Sequence, residues 1–140
     1  MTDLLKDKVA IVTGSGRGVG KGVAQLMAQE GAKVVVVDPG VNVDGSGEDQ
    51  SIAETVVAEI KAAGGSAVAC TESVATMDGG EKIVQTAIDE FRKLDIVVTC
   101  AGILRDRMIS KLDRSLSKLE PILIFSYVSL VAPSQDTMIL

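Results

Sequence analysis

The amino-acid sequence predicts an α/β fold built on a doubly wound parallel sheet, and three observations carry that prediction. Short runs rich in β-branched residues alternate with segments of helical periodicity, glycines stand where those segments end, and most of the connections are short. Lys8 to Thr13 is the first β-rich run. Lys33 to Asp38 is the second and is nearly continuous in valine, as suits a strand buried on both faces. Between them, Val19, Val23, Leu26 and Met27 mark one face of a helix. Ile52, Val56, Val57 and Ile60 mark a second helix, followed by a third strand over Ser66 to Thr71. Ile83, Val84, Ala87, Ile88 and Phe91 mark a third helix, and Asp95 to Cys100 a fourth strand. Gly31 and Gly64-Gly65 follow the first two helices, where a left-handed C-terminal cap favours glycine. Ser51, with Glu54 three residues on, predicts a capping box for the second helix. Pro39 to Gln50 is one long connection and reads as an irregular loop. Strands joined by helices in this way form βαβ units, giving four strands in the order 3-2-1-4. The remainder reads differently: Arg105 to Lys118 is polar and basic-rich, and Ile122 to Val131 is either a fifth strand beside the fourth or an irregular tail.

Composition narrows the function. The 140 residues contain no histidine, which excludes Ser-His-Asp and Cys-His nucleophile systems and any metal site built on imidazole; no metal site is expected. Aromatic residues are 2% of the chain and tryptophan is absent, so base-stacking platforms for single-stranded nucleic acid are disfavoured. A net charge of −5 disfavours nucleic acid and anionic membrane as partners. Cys70 and Cys100 each sit in an apolar run, as buried free thiols of a reducing compartment do, and a cytoplasmic location is expected. Met1 to Lys8 does not read as a secretory signal, and Ile122 to Ala132 is too short for a membrane span.

The chemistry concentrates in Thr13-Gly-Ser-Gly-Arg-Gly-Val-Gly20, between the first strand and the first helix. A glycine turn there lets backbone N–H groups approach a diphosphate, and the helix that follows points its positive dipole end at the phosphates. Asp38 ends the second strand 24 residues after Gly14, close to the roughly 20 expected of an acid that meets ribose hydroxyls. A carboxylate there repels a 2′-phosphate and so favours NAD over NADP. Arg17 pulls the other way, but Pro39 adds no second cation. The fold expected is therefore Rossmann-type. Such folds are built from two βαβαβ halves of about six strands, so a sheet of four strands and a candidate fifth is incomplete, and the length reads as truncation.

These residues resemble the short-chain dehydrogenases/reductases. Thr13 to Gly20 matches their TGxxxGxG loop, with Gly14, Gly18 and Gly20 on the family glycines, and Ser15, Gly16, Arg17 and Val19 filling the loop. Cys100-Ala-Gly-Ile-Leu-Arg-Asp-Arg-Met108 is similar to the segment after the fourth strand in the branch related to 3-hydroxyacyl-CoA dehydrogenases. The resemblance, good from about Lys6 to Leu112, implies that residues 1–112 are the dinucleotide-binding unit and 113–140 a divergent tail, that Glu72 and Val74 lie near the adenine and that Ala101 and Gly102 meet the cofactor ribose. It also implies hydride transfer between NAD and a hydroxyl or carbonyl carbon, with hydroxyacyl thioesters as the leading substrate class. Two departures qualify this. Thr99-Cys100 stands where the family has Asn-Asn. The family also needs a Tyr with a Lys four residues later and a Ser, whereas the only tyrosine, Tyr127, is followed at that spacing by Val131. A phenol near its reference pKa of about 10 without an adjacent cation is a poor base at neutral pH. No catalytic residue is therefore assigned, and a small-molecule substrate is expected only if a catalytic half completes the site. The alternatives are a non-catalytic nucleotide-binding module or fragment and an S-adenosylmethionine enzyme, since Gly14-Ser-Gly-Arg-Gly18 also reads as GxGxG, and a homo-oligomer is expected where the fourth strand is left as an edge.

Overall fold

Valine and isoleucine fill the strands because a branched Cβ packs well on a pleated surface covered by helices. The computed structural model describes residues 3–41, 47, 49–102 and 138–139. In chain order the elements are β1 (Val9–Thr13), α1 (Gly18–Gln29), β2 (Lys33–Val37), α2 (Ser51–Ala62), β3 (Ser66–Cys70), α3 (Met77–Phe91), β4 (Ile96–Thr99) and β5 (Met138–Ile139). All pairings are parallel and the sheet order is β3-β2-β1-β4-β5. The expected 3-2-1-4 order and doubly wound fold are therefore present.

Alternation along the strands divides the core in two. Ala10, Val12, Val34 and Val36 face one way and pack with Ala24, Met27 and Ala28 of α1 and with Ala53, Val56, Val57 and Ile60 of α2. Val9, Ile11, Val35, Val37 and Val97 face the other way, against Ile83, Val84 and Ala87 of α3. Val34, Val35, Val36 and Val37 are all fully buried, which explains the unbroken apolar run of β2. Each such side chain contributes about 1.5–3 kcal/mol relative to an exposed one. Lys21 and Gln25 of α1 both engage the Glu59 carboxylate of α2, at 2.9 and 2.7 Å, over the outer edge of the first core.

Two local expectations are corrected, and a third falls outside the described residues. Helix α1 does not bury Val19 and Leu26, which are 79% and 58% exposed; its inner face is Gly20, Ala24, Met27 and Ala28. Apart from Met27 this face is made of small residues that bring the helix close to the sheet, and Val19 and Leu26 lie on the outer face. Ser51 is the first residue of α2 rather than its cap. The Asp49 carboxylate accepts from both the amide (3.1 Å) and the hydroxyl (2.5 Å) of Ser51, and these two bonds hold its pKa below the usual carboxylate value. The strand beside β4 is β5, in register Ile96↔Met138 and Val97↔Ile139, whereas Ile122 to Val131 lies outside the described residues. The left-handed glycines are where the sequence places them: Gly31 has φ +95° and Gly64 φ +88°. Both cysteines are free thiols; Cys70 is buried, which raises its pKa, and Cys100 is half-buried.

Opposite the C-terminal ends of the strands, Asp95 ties β4 to β1. Its amide donates to the Val9 carbonyl at 2.9 Å, and its carboxylate accepts from the Val9 amide at 2.8 Å and pairs with Lys93 at 3.0 Å. Desolvation pushes the pKa of Asp95 up, but the Val9 amide and the Lys93 and Lys8 charges outweigh it and hold the carboxyl below its usual value. A carboxyl depressed on folding stabilises the protein fully above its unfolded value of about 4 and loses that contribution as pH falls through the lower folded value. Asp95→Asn is expected to cost about 1–2 kcal/mol at pH 7, with the difference from the unaltered chain shrinking toward pH 3. Urea unfolding at the two pH values checks both the size and the direction.

Candidate functional site

At Thr13 the central strand ends, and the chain must turn away between two paired neighbours. Thr13 is buried; its carbonyl accepts from the Cys100 amide and its hydroxyl from the Ala101 amide, both at 3.2 Å. Thr13, absent from the residues singled out in the sequence, is thus the clasp between the glycine loop and the segment after β4. Its signal was its place at the head of the glycine string. Gly14 follows with φ +64°, and a Cβ there would stand 2.7 Å from the backbone of Ala101, so this turn requires glycine on both counts. Gly20, one turn into α1, faces the Gly14 carbonyl so closely that a Cβ would overlap it. The loop and the first turn of the helix therefore pack as one unit.

Ser15 and Gly16 attach this unit to β2. The Ser15 amide donates to the Val37 carbonyl at 3.1 Å, and the Gly16 amide donates to Oδ2 of Asp38 at 2.9 Å. Oδ1 of Asp38 accepts from the Gly40 amide at 2.8 Å, an Asx turn that the Asp-Pro-Gly string accommodates. The acid at the end of β2 is therefore fixed against the glycine loop. Arg17 is the N-cap position of α1, exposed, with its guanidinium 3.4 Å from the carbonyl of Val41. Gly18 and Val19 open the helix on the exposed side.

Helix α1 has no side-chain cap and no acid in its first turn, whereas α3 is capped by Thr76 and carries Asp78, and α2 carries Glu54. The first amides of α1, together with the helix dipole, are thereby left for an anion. Glu72 and Val74 follow β3. The Asp38 amide bonded to the Cys70 carbonyl at 3.0 Å brings the ends of β2 and β3 side by side. Val74 packs on the second core, and the Glu72 carboxylate lies 3.8 Å from Lys82, which pairs at 3.0 Å with Asp78. That Asp78 bond, with the nearby Glu72 charge, raises the pKa of Lys82. Ala101 is partly buried on Gly14 and Gly102 is exposed beside it.

The candidate cofactor residues Gly14 to Gly20, Asp38, Glu72, Val74, Ala101 and Gly102 all follow the C-terminal ends of β1 to β4, around the point where β1 leads to β2 on one side and β4 pairs with β5 on the other. Open α/β sheets bind ligands at such a switch point. The glycine cradle and the uncapped helix fit a dinucleotide diphosphate. Among the described residues, one groove lies between α1 and α2 at Gln25 and Glu59, and another runs along Lys82 and Thr86 and shares Glu72 with the candidate site. Neither includes the glycine loop. Among the described residues no helix is long and apolar enough to cross a membrane.

Comparison with known proteins agrees with this geometry. The family model described as short chain dehydrogenase matches residues 8–139. The peroxisomal multifunctional enzyme A of Dictyostelium discoideum is 54% identical over 107 residues, which are 76% of this chain and 24% of that protein. A short chain dehydrogenase from Mycobacterium avium is 46% identical, with TM-score 0.71, over 80% of this chain and 40% of that one. A 7α-hydroxysteroid dehydrogenase solved with NADH and 7-oxo glycochenodeoxycholic acid is 31% identical, with TM-score 0.78, over 94% of this chain and 49% of that one. The chain thus spans less than half the length of each of these relatives.

Two glycines of α1 provide a paired test of the packing. Gly20→Ala places a methyl against the Gly14 backbone and is expected to destabilise by about 1–3 kcal/mol. Gly22 has open space around it, so Gly22→Ala is expected to stabilise by up to about 1 kcal/mol through helix propensity. Opposite signs in chemical denaturation support the close approach at Gly20; equal effects contradict it.

Proposed function

The chain belongs to the short chain dehydrogenase family, and on that premise we propose that its glycine loop and Asp38 hold NAD. The family takes nicotinamide dinucleotides. The observation that carries the reading is the Asp38 carboxylate held 2.9 Å from the Gly16 amide, beside an α1 N-terminus with no side-chain cap. Gly14 to Gly20 form the cradle for the diphosphate: the Ser15 and Gly16 amides anchor it to Val37 and Asp38, and the amides of Arg17, Gly18 and Val19 at the start of α1 are left for the anion. Asp38 takes the ribose hydroxyls and disfavours a 2′-phosphate. Glu72 and Val74 flank the adenine side, and Ala101 and Gly102 the second ribose. The bound dinucleotide would supply hydride transfer at its nicotinamide ring, and this chain's residues bind and orient it. The NADH in the related hydroxysteroid dehydrogenase supports the choice of NAD over NADP.

The full reaction is hydride exchange with a hydroxyl or carbonyl carbon, with hydroxyacyl thioesters as the proposed substrate class on the resemblance already described. Proton transfer is where this chain departs. Tyr127 lies outside the described residues and has Val131 four residues on, so the sequence carries no Tyr-Lys pair at the family spacing. We assign residues 1–112 to dinucleotide binding and residues 113–140 to a divergent tail, of which Met138–Ile139 form β5 beside β4. On this reading the chain alone binds cofactor without turning over substrate. Its two free thiols suit a reducing compartment such as the cytoplasm, although the Dictyostelium relative is named as peroxisomal.

Calorimetric titration of the purified chain is expected to show NAD binding more tightly than NADP. Asp38→Asn, which keeps one carbonyl oxygen, is expected to weaken NAD binding by about tenfold and narrow the preference. No reduced-nicotinamide absorbance is expected with secondary alcohols or hydroxyacyl thioesters. Equal affinity for both dinucleotides in the unaltered chain contradicts the role of Asp38, and steady NADH production contradicts the absence of turnover.

A further inference from the structure

Ser15 lies inside the glycine string, yet its side chain is fully buried. Its hydroxyl donates to the Val12 carbonyl at 2.6 Å and accepts from the Val37 amide at 3.0 Å. Its donor is committed to the protein, and burial keeps the hydroxyl from reaching a ligand at the loop surface. The placement follows from where β1 stops. The β1–β2 register ends at Thr13↔Val37, and past Thr13 the backbone of β1 bends into the loop. The hydroxyl of Ser15 supplies the acceptor for the Val37 amide while the Ser15 amide takes the Val37 carbonyl at 3.1 Å, so Ser15 extends the ladder by one residue through its side chain.

The next residue along each segment completes the joint. Gly16 donates to the carboxylate of Asp38, and the Asp38 amide is anchored on the other side at the Cys70 carbonyl. Two consecutive loop residues thus hold two consecutive residues at the end of β2, the outer one being the acid that selects the ribose. We propose that Ser15 is a positioning residue for cofactor selection, its buried hydroxyl holding Asp38 at the distance from the glycine loop at which a 2′-phosphate is excluded. The inference rests on the reading of the loop as a dinucleotide site.

The physical reason is the steepness of the two effects involved. Removing the hydroxyl leaves the Val37 amide and the Val12 carbonyl without this partner in a buried place, so the backbone must shift to satisfy them. A shift at Val37 is passed directly to Asp38. Repulsion between a carboxylate and a phosphate depends on their separation and on the exclusion of water between them, so a displaced acid discriminates less. A serine with only a structural role would lower stability and leave the ratio of the two affinities unchanged.

The test compares NAD and NADP affinities of the full chain with those of Ser15→Ala and Ser15→Cys, below the melting temperature of each protein, together with hydrogen exchange at the Gly16 amide. Ser15→Ala is expected to lower the NAD-to-NADP affinity ratio by about tenfold and to speed exchange at Gly16. Ser15→Cys keeps the volume but bonds weakly, shifts both readouts the same way, and carries the test if the alanine variant does not fold. A lowered melting temperature with an unchanged ratio and unchanged Gly16 exchange overturns the positioning role while leaving the NAD site standing. Failure of the unaltered chain to bind either dinucleotide overturns the NAD site and this role with it.

Discussion

β1 is bonded to a parallel neighbour on both sides, and the whole site hangs from the place where it stops. A central strand cannot simply leave a sheet, because the amides and carbonyls it abandons on β2 and β4 are buried and need partners. Here the partners come from the turn itself. Thr13 closes the gap toward β4 through its carbonyl and hydroxyl, and Ser15 closes the gap toward β2 through its amide and hydroxyl. Between them Gly14 turns the chain with φ +64° against the backbone of Ala101, where no other residue fits. The amides that remain, at the start of α1, have no side-chain acceptor. Satisfying the sheet and leaving an anion site open are two results of one arrangement.

The rest of the molecule makes that turn rigid. Two apolar layers hold the sheet from both sides, and the small residues on the inner face of α1 let the helix approach until Gly20 meets the Gly14 carbonyl. The loop is thereby clamped from below by the sheet and from the side by the helix. Asp38 then has a defined neighbour in Gly16 and a defined partner in Gly40, so its two oxygens are oriented before any ligand arrives. Preorganisation of this kind reduces the ordering cost of binding.

Much of this was legible in the sequence, and the gaps have physical causes. The strands were readable because doubly buried strands are written in unbroken β-branched residues, as in Lys33 to Val37. The spacing from Gly14 to Asp38 was readable because the length of a βαβ unit is set by its geometry. The inner face of α1 was read correctly at Met27 and misread at Val19 and Leu26, because periodicity weighs bulk while much of this interface is made by Gly20, Ala24 and Ala28. The cap of α2 was misread because Asp49 and Ser51 both fit the pattern and only the coordinates show which oxygen accepts. β5, two residues long, carries no pattern to read. The place of Ser15 was visible, but its role was not. A serine in a glycine loop reads as ligand-facing until its hydroxyl is found between Val12 and Val37.

The central claim is that the glycine loop and Asp38 form one dinucleotide site. The most direct measurement is an amide NMR titration of the chain with NAD, followed residue by residue. The account predicts saturable shifts concentrated at Gly14, Gly16, Gly18, Val19 and Gly20, at Asp38 and Gly40, and at Ala101 and Gly102. Shifts confined to the groove at Gln25 and Glu59, or no shifts at saturating NAD, would contradict it.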